Sequence, residues 1–165
     1  MSAESTAFSM KQPWGYRAIL WGGLIAGTLD ITAAFFNSGL RGRSPIWVLQ
    51  SVASGLLGPN SYKGGLRSAA LGLVVHFFIA FMACVVFYIL SRKLGFLLHH
   101  AVVCGLLYGV AVYLVMYGIV LRITFHRSFF NPLSAVIIAV LIHMFCVGLP
   151  ISLAVRRYSK SRSRN

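Results

Sequence analysis

The sequence predicts an all-α protein, a four-helix transmembrane bundle with a short amphipathic interfacial helix between its first two spans. Four apolar stretches, at about 16–36, 67–90, 98–121 and 133–155, each reach the roughly 20 residues that a helix needs to cross about 30 Å of hydrocarbon. The chain is 58% hydrophobic and 10% charged, with a mean hydropathy of +0.81. Within the stretches the apolar residues run nearly all round, without the single stripe of a soluble helix. Lipid offers a backbone no hydrogen-bond partner, so such stretches close their bonds internally as helices. Residues 1–165 read as one integral membrane domain.

Span one follows a polar segment that holds Lys11. Its apolar run exceeds the roughly 7–15 residues of a signal-peptide core and contains an acid, Asp30, so it reads as a retained span. Gly23 and Gly27 form a GxxxG pair, the spacing that lets membrane helices approach closely. Gly23, Gly27, Asp30 and Ala34 share one face of the helix.

The connection to span two contains its own helix, at about 45–57. Ser44-Pro45 reads as an N-cap followed by proline in the first turn, and Gly58-Pro59-Asn60 as a stop. Ile46, Leu49, Ala53 and Leu56 line an apolar face beside Val52. Ser51, Ser54 and Gly58 lie largely opposite, and Gln50 flanks the apolar face. Some twelve residues are too few to span, so the segment is expected to lie in the outer interface with Trp47 at headgroup level. A re-entrant segment is the alternative. Ser61–Gly65 is expected to be a flexible turn.

On span two, Gly72, His76 and Ala80 share a face. The short basic loop at 91–97 makes spans two and three expected antiparallel neighbours, and His99 and His100 fall at the interface. On span three, Gly105 and Gly109 form a second GxxxG pair in line with Tyr113. The next loop carries Arg122, His126, Arg127 and Asn131-Pro132. On span four, Ala139, His143, Cys146 and Pro150 share a face, and a basic tail occupies 156–165.

Fifteen Lys and Arg stand against two acids, Glu4 and Asp30. On a soluble chain the net charge of +13 would suggest nucleic acid. Here the basic residues fall at span ends, where they meet lipid phosphates and set orientation, so membrane lipids are the expected partner and nucleic acid is not. Lys11, Arg17, Arg92, Lys93, Arg156, Arg157, Lys160, Arg162 and Arg164 lie on the side of the termini. Arg41, Arg43, Lys63, Arg67, Arg122 and Arg127 lie opposite. Nine against six places both termini in the cytoplasm. Cys84, Cys104 and Cys146 match no CxxC or zinc spacing and read as small packing residues.

Ionisable groups at membrane depth are costly, and each one invites a functional reading. At 1.5 Å per residue, Asp30, His76, Tyr113 and His143 lie about 10, 13, 12 and 15 Å below the outer ends of their spans. One polar side chain from each helix thus falls in one layer. The small residues beside them point the layer into the bundle or an oligomer interface. An Asp30–histidine pair offers a proton relay, or else a hydrogen bond that fixes packing and register. His76 and His143 also suggest bis-histidine ligation of haem b, and Asp30 with both suggests a divalent metal. Packing is the leading reading, with no cofactor and no metal.

There is no GxSxG, HExxH, Walker A or GxGxxG motif, so no enzyme is expected. The two glycine faces point to a packing or accessory subunit in a homo-oligomer or larger membrane complex. A proton- or ion-coupled transporter or channel, working as an oligomer, is the alternative.

The runs GGLIAGTLD from Gly22, LQSVASGLLG from Leu49, LGLVVHFFIAF around His76, GLLYGVAVYLVM around Tyr113 and HMFCVGLP from His143 together resemble uncharacterised bacterial four-pass inner-membrane proteins. The likeness covers nearly the whole chain apart from the tails. It implies that fold and a bacterial inner-membrane location, with no assigned activity and no site to carry over.

Overall fold

The structure, a computed structural model, describes residues 13–120 and 133–160. The expectations for Lys11, for the loop carrying Arg122, His126, Arg127 and Asn131-Pro132, and for Arg162 and Arg164 lie outside the described residues.

Helix α1 runs Pro13–Gly39, α2 Pro45–Leu57 and α3 Gly65–Lys93. A single turn, α4, covers Phe96–His99 before α5, Ala101–Val115. Span four comprises α6, Leu133–Ile142, a wide turn over His143–Gly148 and α7, Leu149–Lys160. No strand occurs among the described residues. Four stretches, Gly15–Gly39, Gly65–Lys93, Ala101–Gly118 and Leu133–Ser159, are long and apolar enough to cross a membrane. The protein is therefore a four-span integral membrane bundle.

Each span outruns the sequence expectation by a few residues except the third, whose start moves inward. His100 has φ −104° and ψ 44°, which breaks the helix that was expected to run on from Leu98. His99 and His100 are exposed at that break.

Span one packs on spans two and four, and span four packs on span three. The backbones of spans two and three, although joined by a short loop, scarcely meet. They are bridged by a side chain: the Tyr108 hydroxyl donates to the Ala83 carbonyl at 2.7 Å, and its ring stands edge-on to Phe87 at 5.0 Å. The core is built from Ala18, Ala26, Cys84, Phe87, Val147, Ile151 and Val155. Ala18, Ala26 and Cys84 supply its small members, while Phe36, Phe78 and Leu107 stand exposed. In lipid, large apolar side chains gain nothing by turning inward, whereas small ones let backbones approach.

The short connecting helix forms as expected. The Ser44 Oγ accepts the Trp47 N–H at 3.2 Å, and Pro45 occupies the first turn, where its missing N–H costs nothing. At Gly58 the backbone has φ 60° and ψ −153°, a region essentially reserved for glycine, and there α2 stops. The expected flexible turn after it is a hydrogen-bonded 3-10 segment, Gly58–Lys63, in which the Ser68 hydroxyl holds the Ser61 carbonyl at 2.6 Å.

The face α2 turns to α3 differs from the expected apolar one. Val48, Gln50, Ala53 and Ser54 are buried, while Ile46 and Leu56 are exposed. Gln50 Nε2 donates to the Gly65 carbonyl at 3.0 Å, and the Ser54 hydroxyl satisfies itself on the Ser51 carbonyl at 2.7 Å. Contact is closest at Gly72, where a Cβ would run into the Leu49 carbonyl. Gly72 is seven residues, about 10 Å, inside α3, so α2 packs against the first turns of span two.

Candidate functional site

Around His76 the packing is set by glycines. A Cβ at Gly27 would fall 2.8 Å from the Phe77 ring and 3.2 Å from Ala80, and one at Gly23 would run into the Phe81 ring. The first GxxxG pair therefore brings α1 against α3 within the chain. That approach puts His76 Nε2 2.9 Å from the Gly27 carbonyl. A carbonyl only accepts, so Nε2 carries the proton and a neutral ring keeps Nδ1 as its acceptor. Phe77 stands edge-on to His76 at 5.5 Å. Gly72 and Ala80, which share the His76 face, are buried as expected.

The second GxxxG pair works the same way between α5 and span four. A Cβ at Gly105 would collide with the Ser152 hydroxyl and sit 3.0 Å from the Gly148 carbonyl. One at Gly109 would collide with the His143 carbonyl and approach the Met144 Cα at 2.5 Å. This contact seats Tyr113, 3% exposed, beside His143, with ring centroids 5.7 Å apart and edge-on.

His143 opens a π turn, His143–Gly148, in which the Leu149 N–H reaches five residues back to the Met144 carbonyl. Pro150 lies just beyond; it has no N–H to offer, and its ring clashes with a carbonyl four residues back. The wider turn absorbs that conflict and adds a residue to the register. For this reason the expected Cys146–Pro150 face is not the innermost one. Val147, Gly148, Ile151, Ser152 and Val155 are buried, and Cys146 and Pro150 are half-buried. A second π turn, Met116–Val120, follows α5 and carries Tyr117. That ring stacks on Tyr113 at 4.5 Å and meets His143 at 6.0 Å.

His143 Nδ1 lies 2.8 Å from the Ala139 carbonyl on its own helix. A carbonyl only accepts, so Nδ1 carries the proton in this contact. Asp30, half-buried on α1, bonds neither histidine; each of them bonds a backbone carbonyl instead.

The expected layer therefore resolves into separate parts. His76 pins α3 to α1, Tyr113, Tyr117 and His143 gather between spans three and four, and Asp30 stands half-buried on α1. Tyr117 was missed by sequence reasoning, although its position four residues after Tyr113 puts both on one face. Gly148, whose Cβ would collide with the Gly105 carbonyl and the Gly109 amide nitrogen, was missed too.

His76 Nε2 is engaged by Gly27, and the rings neighbour different side chains. Among the described residues no three of His, Cys, Asp and Glu gather at one point. The cysteines are free thiols, and Cys84 points its Sγ at the Ala18 carbonyl at 3.7 Å, as a small packing residue does. Comparison with protein-family models, with curated proteins and with solved structures finds no match to this chain.

Proposed function

We propose that this is a non-enzymatic integral membrane protein, a packing or accessory subunit of a homo-oligomer or larger complex, whose polar layer fixes the helices. We place it among the uncharacterised four-pass proteins of the bacterial inner membrane, with both termini in the cytoplasm. The observation that carries the reading is where the histidine protons go. Both are spent on carbonyls of the protein's own backbone, at 2.9 and 2.8 Å, as in a structural fastening. The basic side chains, nine against six, support the orientation.

Both glycine pairs are occupied within the chain, so a partner must meet the large apolar side chains outside, such as Phe36 and Phe78, 71% and 61% exposed. The test is the particle mass after extraction from native membranes in mild detergent. A defined assembly of more than one chain supports the reading, and a lone monomer at native abundance contradicts it.

One observation favours proton or ion coupling as a second reading. The π turns of spans three and four both adjoin the Tyr117–His143 contact, and such turns are frequent at functional sites. Flux in proteoliposomes that is unchanged in Asp30→Asn and His143→Ala would remove it. The haem b alternative requires His76 to release Gly27 and predicts a Soret band lost in His76→Ala.

A further inference from the structure

We propose that the groove between spans one and four seats an anionic phospholipid from the leaflet on the side of the termini. The groove, about 600 Å³ in volume, falls within the roughly 300–1,000 Å³ of ligand pockets. Its origin is local. A Cβ at Gly22 would lie 3.3 Å from the Ala154 Cβ and 3.9 Å from the Ile151 Cα, so α1 and α7 nearly touch there. The larger side chains flanking that seam stand apart as walls.

Trp21 and Ile25 form one wall and Leu153 part of the other, and all three are 42–46% exposed. Arg157 follows Leu153 by one turn and Tyr158 follows Ala154 by one turn, so both polar groups close the same end. An apolar slot ending in a guanidinium and a phenol matches an acyl chain ending in a phosphodiester. The headgroup class follows from charge. In the sequence Arg156 precedes Arg157 and Lys160 follows it by three residues, and the chain's acids are Glu4 and Asp30, of which Asp30 lies about 14 Å along α1 from Trp21. A phospholipid whose phosphate carries no balancing ammonium is favoured at that end.

The test uses the full chain with Trp14→Phe and Trp47→Phe, which leaves Trp21 as its fluorophore. It is reconstituted in phosphatidylcholine vesicles containing a minority of chain-brominated lipid. Brominated phosphatidylglycerol should quench Trp21 at a several-fold lower mole fraction than brominated phosphatidylcholine. Arg157→Gln should abolish that preference. Arg92→Gln removes the same charge from the same membrane face outside the groove, and should keep it. Equal quenching by both lipids overturns the proposal, as does a preference that survives Arg157→Gln and so reports only surface potential. Absence of quenching by either lipid also overturns it, because a second copy or another protein would then cover the groove.

Discussion

The 2.9 Å contact between His76 Nε2 and the Gly27 carbonyl is worth only the difference between this partner and those the ring would otherwise find. Interhelical bonds inside membranes average about 0.6 kcal/mol and reach about 1.7. His76→Ala should therefore cost about 1 kcal/mol in a reversible unfolding titration in mixed micelles, and His76→Gln, which keeps a donor, should recover part of it. A loss above about 3 kcal/mol would mean that the ring does more than hold this carbonyl. Gly72 makes a sharper case, because its obstacle is the Leu49 carbonyl, backbone that cannot rotate away. Gly72→Ala should cost about 1–3 kcal/mol in the same titration, while Gly39→Ala, with nothing within 4 Å, should cost far less. Asp30, His76, Tyr113 and His143 were legible because intramembrane polar groups are rare enough to count. Their partners were not, since a backbone carbonyl leaves no mark in a sequence. Depth put Asp30 and the histidines in one layer, yet could not show that the rings turn to carbonyls.

At the scale of elements, the misreadings share one cause. Helical spacing assumes a uniform α register and a face chosen by hydrophobicity. The face of α2 defeats the second assumption: Gln50 and Ser54 are buried while Leu56 is exposed, because lipid accepts leucine as readily as protein does. The π turn at His143–Gly148 defeats the first by inserting a residue ahead of α7. By contrast, the cap at Ser44, the stop at Gly58 and both glycine pairs were legible, since each rests on a local requirement written in residue type. The π turn makes a testable difference. Deleting Phe145, which is 53% exposed, should let the turn close to α geometry and leave Ile151 and Val155 facing inward. Deleting Leu153 swings Val155 and Tyr158 away from the core by about 100°. Melting temperatures in detergent should therefore fall less for the Phe145 deletion than for the Leu153 deletion, and the reverse order would contradict the π assignment.

For the molecule as a whole, the number of spans was legible because an unsatisfied backbone group in hydrocarbon costs several kcal/mol, which forces long uninterrupted apolar runs. Their arrangement was not. Sequence adjacency suggested that spans two and three pack together, yet span one sits between two and four, and three reaches two chiefly through Tyr108. The glycine pairs explain the order, since Gly23/Gly27 fasten one to two and Gly105/Gly109 fasten three to four. This internal use of both pairs is the central structural claim, and of the two expected destinations, the bundle or an oligomer interface, it is the bundle. Thermal unfolding of Gly109→Leu in detergent, beside Gly39→Leu, tests it most directly. The account predicts that Gly109→Leu, driven into the His143 carbonyl and the Met144 backbone, melts on the order of 5 °C or more below the parent, while Gly39→Leu melts with it. A Gly109→Leu protein that melts with the parent would place that glycine against lipid or a second copy, and the bundle described above would be wrong.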